Sequence, residues 1–81
     1  MTPEDVHQIT FARAPFGRRG YRERDVDELL DLIAAALAGR ATVTSEHLSR
    51  GVRTVPNIFQ RGYHPDQVDA FLQQVRRRFG L

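Results

Sequence analysis

Twelve arginines, three histidines and two Tyr–Asp sets are the side chains of this 81-residue sequence that could do chemistry. Tyr21 precedes Asp27 as Tyr63 precedes Asp69. A phenol can give a proton and a carboxylate can take one, but neither set has a second carboxylate or a nucleophile at a useful spacing, so general acid–base catalysis is not indicated. The tyrosines read as packing residues. His7, His47 and His64 stand singly near helix starts with no i,i+4 pair, and there is no cysteine, so the usual zinc ligand sets are missing. Nothing has the spacing of a phosphate-binding glycine loop. The expectation is a non-enzyme with no cofactor and no metal.

The arginines offer anion binding instead. The net charge is only +2 and the pI about 9.9, yet every basic residue is arginine, and they cluster. Arg13, Arg18, Arg19, Arg22 and Arg24 surround one corner of the chain, Arg50, Arg53 and Arg61 precede a second, and Arg76, Arg77 and Arg78 lie near the end. A nucleic-acid-binding domain is one reading of these clusters. It is the less favoured one, because Glu23, Asp25, Asp27, Glu28 and Asp31 make the adjoining helix acidic and would repel phosphates. The last arginine run suits a helix C-terminus, where it complements the dipole.

The elements that position these residues are written twice. Arg19-Gly20-Tyr21, Val26-Asp27 and Leu29-Leu30 return 42 residues later as Arg61-Gly62-Tyr63, Val68-Asp69 and Phe71-Leu72, which predicts one domain over 1–81 made of two repeats, 1–42 and 43–81. Each copy is a helix start. With Arg22 and His64 at N-cap, Tyr21 and Tyr63 fall at N′ and Val26 and Val68 at N4, the spacing of a hydrophobic staple. Asp25 and Gln67 at N3 can reach free backbone N–H groups, and Pro65 at N1 loses no useful donor. Gly20 and Gly62 let the chain turn in. Asp27 and Asp69 are expected to pair with loop arginines such as Arg19 and Arg61 and so hold the corner.

The predicted fold is all-α, with four helices near 3–9, 23–38, 45–51 and 65–79. Thr2-Pro3-Glu4-Asp5 and Thr44-Ser45-Glu46-His47 read as the starts of the two short ones. Val26, Leu29, Leu30, Ile33 and Leu37 form one apolar stripe, and Val68, Phe71, Leu72, Val75 and Phe79 form another with the spacing of a coiled-coil seam. The intervening stretches, 10–20 and 51–62, read as loops and hold Phe11, Phe16, Ile58 and Phe59. A core this small predicts a homo-oligomer, with a dimer favoured. No apolar run is long enough for a membrane span, the N-terminus is acidic and helical rather than a secretion signal, and the absence of cysteine suits the cytoplasm.

These residues resemble the N-terminal domain of the DivIVA family. In the first repeat Thr2, Pro3, Asp5, Val6, Phe11, Gly20, Tyr21, Val26, Asp27 and Leu30 match the family pattern, and Pro15-Phe16-Gly17-Arg18-Arg19 resembles the actinobacterial loop. The second keeps Thr44, Gly62, Tyr63, Val68, Asp69, Phe71 and Leu72, with Ser45 in place of the proline and Arg53 standing 42 residues after Phe11. The resemblance implies a cytoplasmic cell-division or polar-growth protein, peripheral at the inner face of the cell membrane. It also implies binding to anionic lipid through Phe16, Arg18 and Arg19, then Phe59 and Arg61, and contact with cell-division or cell-wall proteins through the helical faces. Family members continue into a long coiled coil that this sequence does not show after Leu81, which implies a stand-alone relative.

Two alternatives stay open on the residues alone. Phe16 and Phe59 could fold back into the core, and the protein could be an adaptor that binds proteins and never lipid. For the arrangement of the halves, the resemblance implies two helix-loop-helix repeats paired about a pseudo-two-fold, with coiled-coil-like contact between the longer helices and Tyr21 and Tyr63 at one end. An antiparallel hairpin, or repeats exchanged between two chains, is the rival.

Overall fold

The computed structural model describes residues 1–57 and 60–81. Four helices are present in the order α1 (Pro3–Gln8), α2 (Glu23–Leu37), α3 (Ser45–Arg50) and α4 (Pro65–Phe79), with only isolated single-residue bridges and no longer strand among the described residues. The all-α expectation holds.

Each short helix starts on a reciprocal cap. The Thr2 hydroxyl accepts from the Asp5 amide at 3.1 Å, and the Thr2 amide donates to Asp5 Oδ2 at 3.0 Å. At α3 the same box closes with an imidazole in place of the carboxylate, the Thr44 amide donating to His47 Nδ1 at 3.0 Å. That bond needs an unprotonated Nδ1. The long helices start differently. Arg22 supplies no side-chain cap to α2, whereas His64 accepts the Asp66 amide on Nδ1 at 3.2 Å. Gly39 ends α2 in the left-handed region, at φ +76°.

Val6, Val26, Leu29, Ile33, Ala34, Val43, Leu48, Val68, Phe71, Leu72 and Val75 form one buried cluster, with Leu30, Leu37 and Phe79 half-buried against it. Both apolar stripes thus face a common core. The more extensive helix–helix approaches lie within each half, α1 on α2 and α3 on α4. The coiled-coil-like contact expected between α2 and α4 is not among these more extensive pairs. A seam of that kind needs helix directly against helix, and here Phe11 packs at the start of α4, its ring 5.6 Å from that of Tyr63 and 5.9 Å from that of Phe71.

The halves join through backbone. The Tyr21 amide donates to the Tyr63 carbonyl at 3.1 Å and the Tyr63 amide to the Tyr21 carbonyl at 2.9 Å. Beside this pair, Ala14 donates to Gly62 (3.0 Å) and Val55 to Gly20 (2.8 Å), while Arg22 donates to Arg53 (2.8 Å) and His64 to Ala12 (2.7 Å). Every bond has a counterpart with the halves interchanged. The bridged residues run Arg13, Tyr63, Tyr21, Thr54 across the junction, all antiparallel. Loops were expected in these stretches, and a period-two hydrophobic signal is absent because each segment contributes a single bridged residue. The register also corrects one correspondence. Arg53 plays the part of Ala12, not Phe11, so Val52 stands in the place of Phe11, and both pack against the core.

Close approach of the two backbones explains Gly20 and Gly62 better than turning does. A Cβ on Gly20 would strike the Arg61 carbonyl oxygen, and one on Gly62 would strike the Tyr21 carbonyl oxygen. Gly62 also has φ +63°. We expect Gly20→Ala to lower unfolding free energy by about 3 kcal/mol in urea titration, since backbone has to move. Gly39→Ala, with open space around its Cβ, should cost only about 1–2 kcal/mol from the left-handed φ. Equal losses at the two positions would contradict the close-approach account.

Candidate functional site

The side chains that repeat in sequence cross between the halves in space. The Tyr21 hydroxyl donates to Asp69 Oδ1 at 2.6 Å, and the Tyr63 hydroxyl donates to Asp27 Oδ1 at 3.0 Å. The expected pairing of these aspartates with Arg19 and Arg61 is thus replaced. Both tyrosines sit on the bridged backbone pair, which carries each phenol to the second turn of the opposite long helix. The N3 residues cross as well. Asp25 Oδ2 accepts the Arg53 amide at 3.1 Å and Gln67 Oε1 accepts the Ala12 amide at 2.9 Å, so they serve the junction and not their own N-caps.

Burial, and then the bond to Asp69, push the Tyr21 phenol up from 10.0 to about 12. Tyr63 is raised for the same reasons, burial first and the bond to Asp27 next. Such phenols are poor acid–base catalysts near neutrality.

The loop between Ala14 and Gly20 is held at both ends and open at its tip. Arg61 Nε donates to the Ala14 carbonyl at 2.8 Å, and the Arg18 amide donates to the Pro15 carbonyl at 3.0 Å to close a turn with Gly17 at φ +88°. Phe16 projects from that turn and is 82% exposed. Arg18 Nη1 reaches Asp66 Oδ2 at 3.3 Å, in an ion pair that water screens. Arg19 is exposed and makes no hydrogen bond or ion pair among the described residues. Phe59 lies outside the described residues. Phe16, Arg18, Arg19 and Arg61 are therefore brought to one loop region, and Phe16 does not fold back into the core.

Among the described residues, no helix is long and apolar enough to cross a membrane, and no group of three or more His, Cys, Asp or Glu side chains could hold a metal ion.

A 33-residue stretch, 41% of the chain, is 52% identical to the cell wall synthesis protein Wag31 of Mycobacterium tuberculosis, and an equal identity is found with Wag31 of Mycobacterium leprae and of Mycolicibacterium smegmatis. The aligned stretch is 13% of the first protein and 12% of the other two, so the chain spans a small fraction of the length of the curated relatives it matches. No family model and no solved structure matches. The likeness supports a DivIVA-like relationship.

The crossed phenols give the fold a pH signature. In the folded protein Tyr21 keeps its proton up to about 12, whereas in the unfolded chain it loses it near 10.0, so between those values the native state binds more protons. Its contribution is complete below the lower value and is lost as pH rises through the upper one. We expect urea midpoints to fall from pH 10 to 12 and the fall to shrink in Tyr21→Phe. At neutral pH that variant should lose about 1 kcal/mol, because Asp69 stays solvated. A phenolate absorbance titration with both tyrosines ionising near 10 in the folded state would contradict this.

Proposed function

We propose that this chain is a non-enzymatic, DivIVA-like protein of cell-wall synthesis, polar growth or cell division, built as a tandem repeat of the family's N-terminal unit and bound to anionic membrane at the inner face of the cell. The observation that carries the membrane reading is Phe16, an 82% exposed aromatic at the tip of a turn flanked by Arg18 and Arg19. The likeness to Wag31 supports the cellular role, and the interchangeable bonds at the junction support the repeat. In this reading Phe59 and Arg61 form the second contact, and the outer faces of α2 and α4 are left for protein partners.

The energies suit reversible attachment. One inserted phenylalanine contributes up to about 2 kcal/mol and each arginine near an anionic leaflet about 1 kcal/mol. A single loop is thus weak, and a dimer, by presenting two copies to one surface, raises avidity without any new contact. The backbone junction places the starts of both long helices together, which is the geometry joint action of the two loops requires.

Vesicle sedimentation tests this. Binding should require anionic lipid, and Phe16→Ala should weaken it by about tenfold, in line with loss of most of one inserted ring. Helicity by circular dichroism should not change. Equal binding to neutral vesicles, or Phe16→Ala without effect, would leave the adaptor reading standing in its place.

A further inference from the structure

Beyond the exposed loop, a cleft of about 490 Å³ opens where the start of α2 meets the Arg61–Gly62 segment. Arg13, Arg22, Arg24 and Arg61 line it, against one carboxylate, Glu23. We propose that this cleft binds a phosphate monoester or diphosphate group. The proposal goes beyond the membrane reading and does not need Phe16.

The guanidiniums are anchored in a way that leaves their binding edges free. Arg22 uses Nε on the Thr54 carbonyl at 3.3 Å, and Arg61 uses Nε on the Ala14 carbonyl at 2.8 Å. Neither has a further partner for its terminal Nη groups among the described residues. Anchoring through Nε fixes the plane of the fork before any ligand arrives, and the two Nη groups can then meet an anion's oxygens in the geometry that makes arginine a phosphate ligand. Arg13 is held by Glu23, Nη1 to Oε1 at 3.3 Å, which orients it while cancelling one charge. Arg24 is steadied from outside the cleft by Glu28 at 3.3 Å. With Arg13 paired to Glu23 and Arg24 to Glu28, the two net positive charges left around the opening, those of Arg22 and Arg61, suit an anion with two negative charges better than a single carboxylate. The junction matters here too, because Arg13 and Arg22 come from one half of the chain and Arg61 from the other, and the bridged backbone brings them to one rim.

A soluble phosphate compound and a lipid headgroup share this chemistry, and two arms separate them. In the first, inorganic pyrophosphate is titrated into the 81-residue protein and followed by calorimetry. In the second, vesicles carrying phosphatidic acid are compared with vesicles of phosphatidylglycerol. Arg13→Gln/Arg22→Gln should weaken binding by at least about tenfold in the arm that matches the source. Arg77→Gln/Arg78→Gln, with the same charge change on the last turn of α4, should alter binding by less than about twofold, and Phe16→Ala should leave the pyrophosphate arm unchanged. Arg24→Gln, on a solvent-facing side chain, gives a second variant whose fold is not at risk and should weaken binding by about threefold. Saturable binding lost in the cleft variants supports the site. No saturable binding in either arm, or equal losses in the cleft and tail variants, overturns it. Loss of vesicle binding in Phe16→Ala with pyrophosphate binding intact separates the two readings.

Discussion

The pair of hydrogen bonds between the backbones of Tyr21 and Tyr63 is the constraint on which the rest of this molecule depends. A chain of this size buries only about 60% of the surface its unfolded form exposes, so helix packing alone is a thin source of stability. The junction adds a second source. It satisfies six backbone donors in three interchangeable pairs, in stretches that would otherwise be loops. Gly20 and Gly62 follow from it, because no side chain fits where the two backbones touch. So do the Tyr–Asp bonds, since each phenol is carried across to the opposite helix.

From that junction the remaining geometry follows in order. Two helix starts are held together, which gathers the arginines of 13–24 and Arg61 into one region although the acids of α2 keep the net charge small. Arg61 supports the loop that carries Phe16 by bonding to Ala14, so the exposed ring stands on a braced turn and not on a free one. In the proposed membrane contact a braced turn would lose less conformational freedom on binding than a free one.

Much of the fold was legible in the sequence. Helix bounds were readable to about a residue because their signals are local: Thr2 and Thr44 at the caps, Pro3 and Pro65 in the first turns. The apolar stripes were readable for the same reason. What escaped was non-local. Single-residue bridges have no periodicity to detect, and the one-residue shift that places Val52 at the position of Phe11 is visible only in the hydrogen bonds. Asp27 and Asp69 were matched to nearby arginines when their partners were tyrosines about forty residues away. A signal for that crossing did exist, since a Tyr and an Asp kept at one spacing in both copies can satisfy each other reciprocally. Phe16 could not be placed from sequence because exposure of a loop aromatic depends on whether the core has room, and Phe11 and Val52 already pack there.

Amide hydrogen exchange at Tyr21 and Tyr63 tests the central role of the junction most directly. If the two backbone bonds hold the halves together, these amides open only with global unfolding and exchange as slowly as those of Ile33 and Val75 in the core. Exchange at both tyrosines as fast as at the exposed turn residues Phe16 and Gly17, while the helix amides stay protected, would show that the halves are joined by side-chain packing alone and would contradict the account.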